Sequence, residues 1–494
     1  MEKSNSYKQI VKATGIFGGV QFVNIILSII RSKFVAVLLG TGGVGLMGLF
    51  TATTNMIASI SNLGIGFSAV RTISESSALK DETLLSRTII TLKRWVNFTG
   101  MAGAFITLAL SQKLSEWTFG SEKYTWAFIW LSVTLLLQAL TSGQLALLQG
   151  LRKLKQLAKA NVLGSFLGLC LSLPLYYFFK IEGIVPAIII TACINLILSW
   201  YFSRAIIVEK TEISLKQSFK DGIDMAKLGS VVMITGFASA GVMYLIRMYV
   251  GRTGGLEQVG LYAAAWAILS GYVDMVFTAM GTDYFPRLSE VNSDNQKIKK
   301  LVNEQAEMAV LILGPILLLM FSSLPILVKI LLTNSFLPVI GLIQWALIGI
   351  LFKAGSWSVA FILLAKGDRK LYFISEMISN VITLGSSILL YHFFKLNGLG
   401  IAFLVSYVLY LTLVFFIAKI KYNFAFDKAF LKLFLIQFIL TSAAFAVVLN
   451  YAYPIAYIPS IFLLTISSFY SYSELKKRID IPAILTSVKS KFSK

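Results

Sequence analysis

The chain has 494 residues, 57% of them hydrophobic and 14% charged, with a net charge of +21. That ratio excludes an ordinary soluble domain, whose surface needs more charge. One histidine (His392) and two cysteines (Cys170 and Cys193), all in apolar runs, supply little for histidine-based metal or nucleophile chemistry and indicate no disulfide or metal pair.

The first residues, Met1 to Thr14, are polar and carry Lys3, Lys8 and Lys12. The apolar stretch after them is too long for a removable signal peptide and has no cleavage site. From there, runs of about 20 apolar residues recur along the chain, the length a helix needs to cross ~30 Å of hydrocarbon. Barrel strands would alternate polar and apolar residues, and these runs do not. The fold class expected is an all-α polytopic membrane protein with about 14 transmembrane helices. The predicted spans lie roughly at 14–39, 44–70, 89–110, 124–149, 157–179, 183–203, 228–250, 258–285, 305–331, 337–365, 372–394, 398–418, 430–450 and 454–472. They divide into an N-lobe (1–206), a cytoplasmic linker (207–227), a C-lobe (228–420), a terminal pair (421–473) and a basic cytoplasmic tail (474–494). In the linker, Ile213, Phe219 and Ile223 suggest an interfacial helix; an ordinary loop is the alternative.

With both termini in the cytoplasm, most of the 44 lysines and arginines fall on the cytoplasmic side, so the excess charge reads as topology and not as a nucleic-acid surface. The basic blocks "LRKLK" from Leu151, "NQKIKK" from Asn295, "KGDRK" from Lys366 and "ELKKR" from Glu474 fit topology determinants with affinity for anionic membrane lipids.

The chain also repeats itself. "YYFFKIEGIVPA" from Tyr176 and "YHFFKLNGLGIA" from Tyr391 share six of twelve positions at an offset of 215. "TGGVGLMGLF" from Thr41 matches "TGGLEQVGLY" from Thr253, 212 residues on, and "GLRKL" from Gly150 matches "GDRKL" from Gly367, 217 on. Three windows in one order imply two copies of a six-helix unit. Six is even, so the copies enter the membrane from the same side. They are parallel repeats about a central cavity, which rocking would open to each side in turn.

Four cations lie well inside predicted spans. Arg31 precedes the turn at Gly40 by nine residues, or ~14 Å; Lys33 is shallower; Arg247 precedes "TGG" by six, or ~9 Å. Lys353 sits mid-span in "GILFKAGSW". A cation facing lipid there costs ~3 kcal/mol, so such residues face a protein interior or wet cavity, or snorkel to the interface. Interior acids are few, Asp274 being the clearest, with Asp283 and Glu376 nearer span ends. Asp274 either neutralises an arginine or binds and releases a coupling ion. Surplus cations suit an anionic substrate, and guanidinium forks fit phosphate oxygens. Tyr244, Trp266, Tyr272 and Trp357 could stack on sugar rings; core packing or interface anchoring is the alternative.

"KATGIFGGVQFVNIILSIIRSKFVAVLLGTGGVGLMGLF" (Lys12 to Phe50), "LGIGFSAVRTISE" (Leu63 to Glu75) and "YFPRLSE" (Tyr284 to Glu290) resemble the polysaccharide and oligosaccharidyl-lipid flippases of the multidrug/oligosaccharidyl-lipid/polysaccharide (MOP) exporter superfamily, and more narrowly the O-antigen-unit translocases of bacterial inner membranes. The resemblance implies a flippase moving an undecaprenyl-pyrophosphate-linked oligosaccharide from the cytoplasmic to the periplasmic leaflet, with Arg31, Arg247, Lys353 and Lys33 on the pyrophosphate and no cofactor beyond a proton or sodium gradient or the membrane potential. Polysaccharide polymerase and chain-length machinery are the implied partners. Lipid II flippases, which it also resembles, carry an arginine at the place of Arg31 but an aspartate where this chain has Ser32. They too have fourteen spans, the last pair helping to form a lipid-tail groove. A cation antiporter of the same fold is the other alternative, with Asp274 as its ion site. No G-x-x-x-x-G-K-[ST] motif occurs, so no nucleotide site of that kind is visible. The far-side loops are short, and the longest, about 111–123, offers only Glu116 and Glu122 as acids, which argues for a transporter over a membrane glycosyltransferase.

Overall fold

The computed structural model describes residues 2–79, 81–206, 213–451, 453 and 455–478, with side chains from Val23 onward except at scattered positions within helices. The parts of the expected linker at 207–212 and of the basic tail at 479–494 lie outside the described residues.

Among the described residues the chain forms helices and no strand. In order they are α1 (Glu2–Ser61), α2 (Ile65–Ala78), α3 (Glu82–Ala109), α4 (Ser111–Phe119), α5 (Thr125–Gly150), α6 (Leu154–Phe179) and α7 (Ile184–Ser203), then α8 (Leu215–Tyr272), α9 (Asp274–Glu290), α10 (Asn295–Leu331), α11 (Val339–Ala365), α12 (Arg369–Tyr422), α13 (Lys428–Asn450) and α14 (Tyr457–Lys476). Eight helical stretches among the described residues are long and apolar enough to cross a membrane. Four of these (Val23–Ser61, Leu154–Ser203, Met233–Thr278 and Arg369–Tyr422) run 39 to 54 residues. At 1.5 Å per residue each is about twice a bilayer's thickness, so each holds two crossings. With α3 and α14, more polar but long enough, the count reaches the fourteen expected.

The breaks inside these long helices expose the duplication. Gly40 interrupts α1 at φ 64 and Gly255 interrupts α8 at φ 82. Arg152 and Gly367, between α5 and α6 and between α11 and α12, also have positive φ, as do Lys180 and Lys395. Each pair is separated by 215 residues (255 − 40, 367 − 152, 395 − 180). The backbone therefore repeats with one register. The sequence matches at 212 and 217 miss it by three and two residues, because apolar sequence aligns almost as well when slipped.

The repeated "YFFK…G" stretch has a physical explanation. Tyr176 and Tyr391 are fully buried anchors. Past the left-handed lysine the chain doubles back, and a Cβ on Gly183 would lie 2.3 Å from the carbonyl oxygen of Leu175. Gly398 meets Leu390 in the same way, at 2.0 Å. Only glycine fits that approach.

Two compact units divide the contacts: residues 1–263 with 330–335, and residues 264–329 with 336–494. Within the first, α1 after Gly40 crosses α8 after Gly255 at a pair of glycines. A Cβ on Gly45 would sit 1.9 Å from the Leu256 carbonyl oxygen, and one on Gly260 1.9 Å from that of Thr41. Gly45 and Gly260 are repeat mates, as are Thr41 and Leu256, so the crossing is two-fold in character. Small residues at such contacts let helix backbones touch where lipid provides no hydrophobic drive.

The described part of the linker is helical from Leu215 and continuous with α8. It is fastened to α3. Arg87 donates from Nε and a terminal nitrogen to both Asp221 carboxylate oxygens at 2.7 and 2.9 Å, and Trp95 Nε1 donates to the Ser218 carbonyl at 2.9 Å. The hydrogen bond from Arg87 holds the Asp221 carboxyl below the usual carboxylate range. Phe219 packs on the Trp95 ring with centroids 5.0 Å apart. The expected loop at 111–123 is also mostly helical: α4 ends on the left-handed Gly120 and a single 3-10 turn follows.

In the second unit, α13 and α14 are joined by polar contacts in an apolar setting. Gln437, fully buried, donates to Ser471 at 2.9 Å and accepts from Ser467 at 2.7 Å.

Candidate substrate site

The first unit carries an open cavity of about 570 Å³ whose lining includes Arg31 of α1, Gln138, Ser142 and Gln149 of α5, Asn161 of α6 and Asn195 of α7. The helical repeat builds it. Gln138, Thr141, Ser142, Leu145 and Gln149 follow i, i+3, i+4, i+7, i+11 spacing and share one face of α5. Ile188, Thr191, Ala192 and Asn195 do the same on α7. Arg31 is half-buried and supplies the lining's one charge. Among the described residues its guanidinium has no ion-pair or hydrogen-bond partner, and neither do the Gln138, Gln149, Asn161 and Asn195 amides. Gln138, Asn161 and Asn195 are half-buried and Gln149 is exposed, so their donors and acceptors are open to water or to a ligand. These amides were not singled out from sequence. Their signal was present as uncharged polar residues at helical spacing inside apolar spans.

The other sequence-predicted cations lie elsewhere. In the first unit Lys33 donates to the Leu332 carbonyl. Arg247, eight residues before Gly255, is at nearly the depth of Arg31 and not shallower. The common register places Ile246, not Arg247, opposite Arg31. One residue turns a helix by ~100°, and Arg247 points to the Gly48 carbonyl, donating at 3.1 Å, with its Nε buried and unpaired among the described residues. Tyr244 is buried and shares a 3.0 Å hydrogen bond with Thr118.

The second unit holds the remaining candidates. Lys353 Nζ is 2.5 Å from Asp274 Oδ1 and lies over the Phe277 and Tyr407 rings, 5.0 and 5.7 Å from their centroids. Asp274 therefore neutralises a lysine; the arginine considered from sequence is not its partner. Trp357 packs against Phe277, Tyr284 and Phe361, and Trp266 against Phe403. Both tryptophans are packed in aromatic clusters. Tyr410 donates to Glu376 at 2.6 Å. The side chains of Tyr272 and Asp283 lie outside the described residues.

Chemically, the first-unit cavity offers one unspent fork of donors and several amides that can both donate and accept. In the second unit Lys353 and Asp274 hold each other, and Glu376 accepts from Tyr410.

Residues 34–341, more than half of the chain, match the sequence profile described as polysaccharide biosynthesis protein. The chain belongs to that family. Among curated proteins it is similar to the lipid III flippase of Escherichia coli strain K12, 20% identical over 400 residues that cover 79% of this chain and 94% of the relative. Among solved structures it is similar to the lipid II flippase MurJ in an inward closed conformation, with a TM-score of 0.68 at 14% identity, covering 94% of this chain and 99% of that one. It is also similar to an inward-facing multidrug resistance MATE family transporter of the MOP superfamily, with a TM-score of 0.64 at 13% identity, covering 81% and 94%. The family member is thus a multi-pass membrane protein with the fold of MOP transporters.

Proposed function

We propose that the protein moves an undecaprenyl-pyrophosphate-linked oligosaccharide, the repeat unit of an O-antigen or similar polysaccharide, from the cytoplasmic to the periplasmic leaflet of a bacterial inner membrane. The observation that carries this reading is Arg31, a cation in a polar cavity with no acid in its lining. Its planar fork suits phosphate oxygens. The prenyl tail stays in lipid while the lobes at 1–206 and 228–420 alternate access, with both termini in the cytoplasm. The membrane potential can drive the step. A pyrophosphate diester carries about two negative charges, and each gains ~2.3 kcal/mol per 100 mV on moving outward from a negative interior. Polymerase and chain-length machinery would then take up the exported unit.

Replacement of Arg31 separates this reading from a cation antiporter. In cells that depend on this chain for surface polysaccharide, Arg31→Gln should reduce the polysaccharide at least tenfold, with Arg31→Lys retaining part of it. Asp274→Asn should have the smaller effect, since its carboxylate is committed to Lys353. Normal polysaccharide in Arg31→Gln cells together with its loss in Asp274→Asn cells would reverse the assignment.

A further inference from the structure

We infer that the first-unit cavity is a saccharide subsite, with Gln138 and Asn161 selecting the sugar next to the pyrophosphate. The inference rests on the lipid-linked glycan reading above and concerns the divergence of the two repeats. At the common offset of 215, Gln138, Ser142, Asn161 and Asn195 correspond to Lys353, Trp357, Glu376 and Tyr410. The backbone frame is the same, and Gly66 in the first repeat matches Gly281 in the second. Each of these glycines faces its partner on the neighbouring helix: Ser142 in one case, the Trp357 ring in the other.

The furnishing differs in one direction. In the second repeat the four positions are large or charged, and they satisfy one another or near neighbours. Lys353 holds Asp274, Tyr410 holds Glu376, and Trp357 lies among aromatic rings. In the first repeat the same positions are small and uncharged, the space stays open at about 570 Å³, and the amides have no partner among the described residues. That volume lies within the ~300–1,000 Å³ range of small-molecule sites.

The chemistry narrows the occupant. An amide sets a donor beside an acceptor, which matches neighbouring hydroxyls or an acetamido group on a pyranose. A hydrocarbon tail would leave every amide unpaired. A second phosphate would want more cations than the single guanidinium. Arg31 in the wall lets one end of the occupant carry phosphate charge, so the sugar bonded to the pyrophosphate is the part that fits.

The test uses the full chain in lipid nanodiscs and two kinds of probe. One is farnesyl pyrophosphate. The other is a panel of farnesyl pyrophosphates each bearing one sugar: glucose, galactose, N-acetylglucosamine or N-acetylgalactosamine. At least one sugar-bearing probe should bind about tenfold tighter than farnesyl pyrophosphate, the worth of one or two net hydrogen bonds. Asn161→Leu and Gln138→Leu should each erase most of that gain while leaving farnesyl pyrophosphate affinity within about twofold, which also reports an intact fold. Ser142→Trp, which copies the second repeat's furnishing, should fill the cavity and erase the gain as well. Equal affinity for bare and sugar-bearing probes, or a gain that survives all three variants, overturns the subsite. If no pyrophosphate probe binds at all, it is the lipid-pyrophosphate reading that fails first.

Discussion

Arg31 and Arg247 show how one residue of register separates two roles. Both follow an "(I/L)-I-R" sequence at similar depth, yet one faces an open polar cavity and the other caps a backbone carbonyl. The Lys353–Asp274 pair makes a sharper claim. Its lysine is largely shielded from solvent (19% exposed) while its aspartate is less so (42%). Removing Asp274 strands the shielded ammonium, and removing Lys353 deprives the more exposed carboxylate of its partner, whereas removing both strands neither. Lys353→Met and Asp274→Asn should therefore each lower the melting temperature in detergent, and the double variant should fall short of the sum. A coupling of roughly 1–3 kcal/mol is expected. Additive single effects would mean that the two side chains do not hold each other in solution.

Helical elements carry the duplication. The positive-φ positions, the buried tyrosines and the doubling-back glycines recur at one spacing, so α5 to α7 and α11 to α12 are the same construction built twice. The Gly45–Gly260 crossing binds two helices of the first unit backbone to backbone. A methyl at either position would overlap a carbonyl oxygen, and backbone has no rotamer with which to yield. Gly45→Ala and Gly260→Ala should each destabilise the protein by about 2 kcal/mol or more, read as a drop in melting temperature, while Gly42→Ala, with open space around it, should change it little. Equal drops at all three would mean that the cost does not lie in the crossing, since alanine is otherwise the better helix former.

At the scale of the whole molecule, much of the fold was legible because the bilayer writes it into the sequence. Long apolar runs, basic blocks and the repeat all follow from crossing hydrocarbon fourteen times. Register was not legible, since Leu, Ile and Val align at several offsets, and backbone dihedrals at Gly40 and Lys180 were needed to settle it. The candidate site was half legible. Charges stand out against apolar sequence, so Arg31 and Lys353 were found. Their environments depend on partners such as Asp274, 79 residues away from Lys353, which no spacing rule reveals. Gln138 and Asn161 were overlooked because an uncharged amide in a span reads as tolerated polarity until its neighbours are seen to leave it unpaired.

The central claim is that this chain carries an anionic lipid-linked glycan across the membrane, using Arg31. The direct measurement is translocation of a fluorescent prenyl-pyrophosphate-linked oligosaccharide in proteoliposomes, scored by lectin access from the outer leaflet, with a potassium–valinomycin potential of either sign. The account predicts transport toward the positive side that accelerates as the potential grows, and its loss in Arg31→Gln. Transport that ignores the potential and survives Arg31→Gln, or none under any condition with correctly folded protein, would contradict it.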